Sequence, residues 1–444
     1  MIVSDAFAGQ RYAVLGLARS GLAAVETLLA SGAHVTAWDS REEPRQALAG
    51  RVELADPLAI DLTGFAGVVV SPGVPLNRHP IAEAAARAGV PVIGDIELFA
   101  LARSSLPAHR VVGITGTNGK STTTALVHHL LMSAGVPSLM GGNIGLPILG
   151  QEPLQAGGVY VLELSSYQID LTYKLDCEAA ALLNITPDHL DRYDGFAAYA
   201  ASKARLFAMQ SAQNHAIFGL GDAETAAIAD AESLRRDFAH IHRVDGADLA
   251  GLQSEWLSLQ GPHNLQNVAV AVAIVEALGL SRAQWQAALP TFRGLPHRME
   301  RVAEAGGVIF INDSKATNPA SAAPALAAFP PNPWPRIHWI VGGLPKGEDL
   351  DECAPFFRNI AAAYTIGDAG PVFADLLAPY LPVTRSEMMA EAIRQAIEAA
   401  KPGDIVMLSP ACASFDQFRD YEARGDAFRQ IVEALTAPDD EQAA

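Results

Sequence analysis

Apolar and polar positions alternate along this chain on the scale of whole elements. Short runs of β-branched and aliphatic residues, each closing on glycine or a polar residue, are separated by stretches with helical spacing. In the first hundred residues YAVLG (12–16), HVTAW (34–38), the valines of VVVSPG (68–73) and PVIG (91–94) read as strands, with helices over Ser20–Ala30 and Ile96–Ala102. Strands that alternate with helices make a mostly parallel sheet with helices on its faces. The rhythm returns twice. A second segment offers strands at Val111–Thr115, Gly158–Leu164, Ala179–Ile185 and AIFGLGD (216–222), with helices from Lys120 to about Ser133, over Phe196–Met209, and from GPHNLQN (261–267) to Leu278. A third carries strands VIFIND (308–313), IHWIVGG (337–343), AAAYTIG (361–367) and DIVMLSP (404–410), with a helix from Pro319. SSLPAH (104–109) and TFRGLPHRME (291–300), polar and broken by proline and glycine, mark the joints. The pattern predicts an α/β chain in three parts, 1–106, 107–293 and 294–444. Residues 223–258 yield no reading beyond acidic, alanine-rich helix, and the closing APDDEQAA reads as disordered.

The strongest chemical signal is VVGITGTNGKSTTT (111–124), a buried strand turning through glycines into a helix. The generic phosphate-loop pattern wants a glycine six residues before the lysine, and Ile114 stands there, so the motif is G-x-x-G-K-S rather than the full form. It still predicts a phosphate cradle for ATP over Gly116, Thr117, Asn118, Gly119, Lys120, Ser121 and Thr122. Amides freed by the glycines would point at anionic oxygens, Lys120 would reach a terminal phosphate, and the Ser121 hydroxyl would ligate Mg²⁺. A turn with a solvated lysine is the alternative.

Other positions gain meaning from their place. In GLARSG (16–21) Ala18 occupies the middle glycine position of a dinucleotide fingerprint, which disfavours NAD. Asp39, ending the second strand, and Ser71, just past a later one, sit on the edge where open α/β sheets bind ligands. GGNIG (141–145) reads as a loop that lets backbone approach a ligand, with Asn143 as its polar handle. Glu163 closes an apolar strand, where a carboxylate is costly unless paired, and suits a second Mg²⁺ ligand; a buried salt bridge is the other reading. His189 lies in TPDHLDRYDG (186–195) among Asp188, Asp191 and Arg192, and Lys203 sits amid alanines. Asn264 and Asn267 share one face of their helix, fit for base or phosphate contact and equally for capping. NDSKATN (312–318), GGLPKGED (342–349) and SPACASFDQF (409–418) gather polar residues at strand ends of the third part.

Composition narrows the classes. Half of the 444 residues are hydrophobic and 18% charged, enough apolar surface for more than one core. A net charge of −18 argues against nucleic acid and acidic lipid as partners. Cys177, Cys353 and Cys412 stand far apart and suggest neither a disulfide framework nor a thiolate metal site. No basic leader with an apolar core opens the sequence, and the longest apolar run, Val268–Val275, is far short of a membrane span. A cytoplasmic protein is expected, without membrane attachment.

Taken in order, GITGTNGKST, LELSSYQ, NITPDHLDRY with a lysine fourteen residues after its histidine, GPHNLQN, GLPHRME, INDSKATNP and SPACASFDQF resemble the Mur ligases of peptidoglycan synthesis. GLPHR, NDSKATN and SPACASFDQF are most similar to the branch that adds D-glutamate to UDP-N-acetylmuramoyl-L-alanine. The resemblance implies a Rossmann-like first domain for the UDP substrate, a central P-loop-type ATPase domain with a mostly parallel sheet, and a Rossmann-like C-terminal domain delivering the amino acid. It also implies the reaction: ATP phosphorylates the L-alanyl carboxylate, the amine of D-glutamate attacks the acyl phosphate, and phosphate leaves. By residue, it implies Lys120, His189 and Lys203 as catalytic. Ser121, Glu163, His189 and Lys203 as its carbamate would hold Mg²⁺. Asn264, Asn267, Arg298 and Asp313 would join the ATP contacts, Asp39, Ser71 and Asn143 the UDP substrate. Lys315, Thr317, Lys346, Ser414 and Tyr421 would surround glutamate, with Tyr421 standing where phenylalanine is commoner and GLARSG differing from the usual GLGxSG. A monomer is expected. A folate-type or L-glutamate-specific amide ligase stays open as an alternative, as does a nucleotide-dependent regulatory protein.

Overall fold

The computed structural model describes residues 1–188, 192–345, 347 and 349–437. Among them three sheets form, each within one of the segments marked by the apolar runs.

The first contains β1 (Arg11–Leu15), α1 (Arg19–Ala30), β2 (His34–Trp38), α2 (Glu42–Gln46), β3 (Glu53–Leu54), β4 (Gly67–Val70), α3 (Ile81–Ala88), β5 (Val92–Ile93) and α4 (Asp95–Ala102). Its order is β3-β2-β1-β4-β5 and all pairs are parallel. Helical crossovers cover both faces, so the middle strands must be apolar on each side; Ala13, Val14, Val68 and Val69 are accordingly buried. The order reverses between β1 and β4, which opens a crevice at their carboxyl ends.

The second contains β6 (His109–Thr115), α5 (Lys120–Ser133), β7 (Ser138–Gly142), β8 (Gly158–Glu163), α6 (Ser166–Asp170), β9 (Ala179–Leu182), α7 (Gly195–Ala208), β10 (His215–Gly219), α8 (Ala223–Ser233) and β11 (Ile241–Val244), followed by α9 (Pro262–Ala277) and α10 (Arg282–Ala288). Its order, β11-β10-β9-β6-β8-β7, is wholly parallel. The third contains β12 (Glu300–Ala305), β13 (Val308–Asn312), α11 (Pro319–Ala327), β14 (Ile337–Gly342), β15 (Ile360–Ile366), α12 (Gly370–Leu377), β16 (Val383–Glu387), α13 (Met389–Ala399), β17 (Ile405–Leu408) and α14 (Tyr421–Thr436). Its order is β12-β13-β17-β14-β15-β16, parallel except for β12 on β13.

By packing, the chain divides into two compact units. One is Met1–Ala247 with Gln266–Leu289 and holds the first two sheets; the other is Asp248–Leu265 with the chain from Pro290 on and holds the third. In the first unit the two sheets' segments are tied by hydrogen bonds: Ile2 N donates to Leu149 O at 2.9 Å, and the Glu97 carboxylate on α4 accepts from the amides of Tyr173 and Lys174 at 2.7 and 2.9 Å.

The structure departs from the apolar-run reading in two places. Strands β3, β11, β12 and β16 escape it because they are short or lie on edges with little to bury; in β16 only Ser386 is buried and in β12 nothing is. GGNIG is not wholly loop. Gly141 and Gly142 end β7, and Gly142, at φ 88°, brings its backbone so close to Glu163 that a Cβ would lie 2.2 Å from the Glu163 carbonyl. The near approach made possible by that glycine is therefore to the neighbouring strand.

Candidate active site

The centre of the second sheet positions the phosphate-loop residues. β6 ends at Thr115, and Gly119 caps α5 in the left-handed conformation at φ 84°. A side chain on Gly119 would meet the Asn267 Oδ1 of α9 at 2.2 Å and would have to hold a left-handed backbone, so glycine spares this turn both a displaced Asn267 and strain. The loop is also held from the strand beside it. Thr117 N donates to Asn184 O and Asn118 N to Asn184 Oδ1, both at 2.9 Å, while Asn184 Nδ2 returns a bond to Asn118 O at 3.1 Å. The amides of Thr117 and Asn118 are thus taken up by Asn184. Donors for an anion must come chiefly from the first turn of α5, whose amides have no intrahelical acceptor.

Two lysines converge on one carbonyl. Lys120 Nζ donates to Gly116 O at 2.9 Å and Thr117 O at 2.8 Å. Lys203, from the middle of α7, donates to the same Gly116 O at 2.8 Å and is 1% exposed. Burial first, and the positive charge of Lys120 second, push the Lys203 amine down to about 7 against the opposing pull of Asp188 and Asp170. Its ammonium also stands 4.6 Å over the ring of Tyr199, whose hydroxyl shares a 3.1 Å hydrogen bond with Thr117 Oγ1.

Register places Glu163 beside this loop, because β8 pairs with β6 through Ile114 and Glu163. Asn143 donates its side-chain amide to Glu163 Oε1 at 2.9 Å, and its backbone amide to Glu163 O at 2.8 Å. Glu163 Oε2 is buried with no hydrogen-bond partner among the described residues. A buried carboxylate oxygen without a partner, on the strand paired with β6, and the Ser121 hydroxyl on the first turn of α5 are oxygen donors of the kind a hard cation takes. No three His, Cys, Asp or Glu side chains form a metal group among the described residues. His189 lies outside them, as does Lys346.

At the carboxyl edge of the first sheet, Asp39 and Ser71 serve the same turn. Asp39 Oδ2 accepts from Leu17 N at 2.7 Å and Oδ1 from Arg41 N at 2.9 Å, and Ser71 Oγ donates to Gly16 O at 2.9 Å. Burial works against the Asp39 charge, but the Leu17 and Arg41 amides and the Arg41 side chain outweigh it and hold the carboxyl below its usual range. On α9, Asn264 and Asn267 are both buried, and Asn264 Nδ2 donates to Gln260 O at 3.0 Å.

In the other unit, Asp313 directly follows β13 and is buried. It accepts from Met299 N at 3.1 Å and from Ser409 Oγ at 2.8 Å. Burial raises its carboxyl to about 7, with Ser409, Arg298, the Met299 amide and Arg424 pulling the other way. Lys315 stands 3.9 Å over the ring of Tyr421. Ser414 is buried, and Thr317 precedes α11. What binds these segments together is Arg424 on α14, which sequence reading missed. It donates to Ser314 Oγ and O at 2.9 Å, Cys412 O at 3.0 Å and Ala413 O at 3.1 Å. Asn184 and Tyr199 were missed as well; their only sequence signal is a polar group next to an apolar run inside a recognised motif.

Comparison with known proteins follows the same three parts. Residues 10–94 match the N-terminal domain of MurD-like Mur ligases, 114–275 the Mur ligase middle domain, and 297–412 the glutamate ligase domain of Mur ligases. Two relatives, from Novosphingobium aromaticivorans and Sphingopyxis alaskensis, are each named UDP-N-acetylmuramoylalanine--D-glutamate ligase. The first is 72% identical, covering 98% of this chain and 97% of the relative; the second is 62% identical, covering 98% and 100%. Among solved structures, the UDP-N-acetylmuramate-alanine ligase MurC of Thermotoga maritima has a TM-score of 0.56 at 15% identity, covering 96% of this chain and 99% of its own, a likeness of fold.

Proposed function

The chain belongs to the Mur ligase family, and we propose from that premise how its residues carry the family's chemistry. It is an ATP-dependent ligase that adds D-glutamate to UDP-N-acetylmuramoyl-L-alanine in peptidoglycan synthesis. The first-domain match and the full-length likeness to D-glutamate ligases set aside the folate-type and regulatory alternatives.

A carboxylate is a poor electrophile, so a leaving group has to be installed. One carboxylate oxygen attacks the γ-phosphorus of ATP and the bond from that phosphorus to the β-bridging oxygen breaks, giving acyl phosphate and ADP. The amine of D-glutamate then adds to the acyl carbon, loses a proton, and the tetrahedral intermediate expels phosphate to leave an amide. Every step brings anions together, and catalysis is mainly alignment and charge neutralisation. Lys120 and the first-turn amides of α5 hold the β and γ phosphates in this reading. Asn264, Asn267, Arg298 and Asp313 complete the ATP contacts. Asp39, Ser71 and Asn143 serve the UDP substrate, and Lys315, Thr317, Lys346, Ser414 and Tyr421 the glutamate.

The observation that carries the reading is the buried Lys203 against Gly116 O. CO₂ combines with a neutral amine, and at pH 7.5 an amine with a pKa of about 7 is about three-quarters neutral, against about one in a thousand at the ordinary 10.5. A carbamate formed there turns a cation beside Lys120 into an anion. Ser121, Glu163 and His189, with Lys203 as its carbamate, would hold Mg²⁺, which when bound supplies positive charge against the phosphates and the acyl oxygen. The Glu163 Oε2 left without a partner fits that role. We take the domains as 1–106, 107–293 and 294–444 and the working form as a monomer. We place it in the cytoplasm, where ATP and nucleotide sugars are made; no helix among the described residues is long and apolar enough to cross a membrane.

The deciding experiment measures phosphate release with ATP, UDP-N-acetylmuramoyl-L-alanine and glutamate, each omitted in turn. Release should need all three, and L-glutamate should fail to replace the D form. Release indifferent to the nucleotide sugar, or equal rates with both enantiomers, would overturn the assignment.

A further inference from the structure

Loop residue Arg192 stands outside every role assigned above, yet its side chain reaches from the second sheet's segment to the ligand edge of the first sheet. Its guanidinium donates to Val74 O at 3.2 Å and to Pro72 O at 3.5 Å. The same guanidinium lies 4.4 Å over the ring of Tyr167. Tyr167, at the start of α6, is stacked on Tyr193 at 6.0 Å and 13°, and Tyr193 is 5.5 Å from Tyr199. Tyr199 in turn touches Thr117 in the phosphate loop and Lys203. On the other side, Val74 N bonds to Ser71 O at 3.0 Å, and Ser71 holds Gly16. A continuous line of contacts therefore runs from the turn that closes β1, through one arginine and three tyrosine rings, to the loop assigned to ATP.

We infer that Arg192 is a positioning residue that couples occupancy of the first-domain crevice to the geometry of the phosphate loop. The inference rests on the reaction proposed above, because it needs the UDP substrate at one end and ATP at the other. A planar guanidinium can couple the two, because its edge donates to carbonyls of one segment while its face stacks on an aromatic ring of another. Lysine can do one of these but not both in that geometry. Neither ligand's own contacts are built from Arg192, and the 71–74 loop keeps its Ser71 and Val74 bonds without it. Each ligand alone should therefore bind nearly as before, while their mutual effect is lost.

The test is calorimetric binding of UDP-N-acetylmuramoyl-L-alanine in magnesium buffer, with and without the non-hydrolysable analogue adenylyl imidodiphosphate, to the wild-type protein and to Arg192→Lys and Arg192→Ala. In the wild type the analogue should tighten substrate binding by about fivefold or more. In both variants each ligand alone should stay within about twofold of wild type, while the tightening falls below about twofold. An arginine that merely supports the fold would weaken the analogue alone and lower the melting temperature with the ratio intact, and that outcome overturns the inference. So does an unchanged ratio in Arg192→Lys and Arg192→Ala, or a wild type without coupling. Failure of wild-type protein to release phosphate in the presence of all three substrates would instead strike the reaction itself.

Discussion

Replacing Asn184 by alanine removes two hydrogen bonds to the phosphate loop and leaves a third, because the bond from Thr117 N ends on the Asn184 backbone carbonyl. Each lost bond has a net worth of about 0.5–1.5 kcal/mol, and both lie in exposed surroundings, so the lower half of that range applies. If ATP binds only the ordered loop, a loss of about 1–2 kcal/mol weakens nucleotide affinity by about 5- to 30-fold. The UDP substrate, whose proposed contacts lie on other segments, should bind within about twofold of wild type. Asn184→Asp sharpens the comparison. It keeps an acceptor for the Asn118 amide, loses the donor to Asn118 O, and sets a negative charge beside the place proposed for phosphates, so it should be the more damaging of the two for ATP. The assay is titration of each variant with a fluorescent ATP analogue and, separately, with the UDP substrate. An Asn184→Ala variant that binds nucleotide as tightly as the wild type would refute the idea that this side chain holds the loop in its binding shape. Equal losses for both ligands would show that the loop and the first-domain crevice fail together.

Further expectations concern charge. Lys203→Ala should abolish synthesis, with kcat lower by about a thousandfold or more and melting little changed; full turnover by that variant in bicarbonate-free buffer would remove the carbamate from the mechanism. Asp95, the first residue of α4, is 3% exposed, and both its carboxylate oxygens are buried without a hydrogen bond among the described residues. Burial raises its pKa to about 6; the Ile96 amide, its own amide and Gln168 oppose the shift without completing a bond. The folded state therefore binds this proton more tightly than the unfolded chain does. The associated stability is present below about pH 4 and is lost as pH rises toward 6, in all about 3 kcal/mol. Asp95→Asn should match wild type in thermal melts near pH 4 and melt higher at pH 7.5. A gap that does not widen with pH would show that Asp95 is not a buried acid of this kind.

Much of the molecule could be read from residues out of keeping with their surroundings. Glu163 ends an otherwise apolar strand and Lys203 interrupts a row of alanines, and both lie against the phosphate loop. Runs such as HVTAW are buried from both sides and so announce themselves without reference to the rest of the chain. Less legible were the residues whose work is done at long range. Asn184 bonds to a loop 66 residues away, Tyr199 to one 82 away, and Arg424 to a serine 110 away. No local pattern records such pairings, because each side chain is ordinary among its sequence neighbours and acquires its partner only when strands pair. Edge strands such as β16 failed for the opposite reason, having too little apolar surface to form a pattern at all.

The arrangement around Arg424 bears on how the protein is made. One enclosed cation, lowered by burial only to about 10 and so still charged in the cell, gathers carbonyls from positions 314, 412 and 413. The arginine itself stands on α14, 110 residues beyond Ser314. A chain that lacks α14 would leave the Ser314 and Cys412 carbonyls without this donor, so the lobe proposed to receive the amino acid becomes competent only once α14 has been made and docked, and a stop codon ahead of Tyr421 should silence the protein.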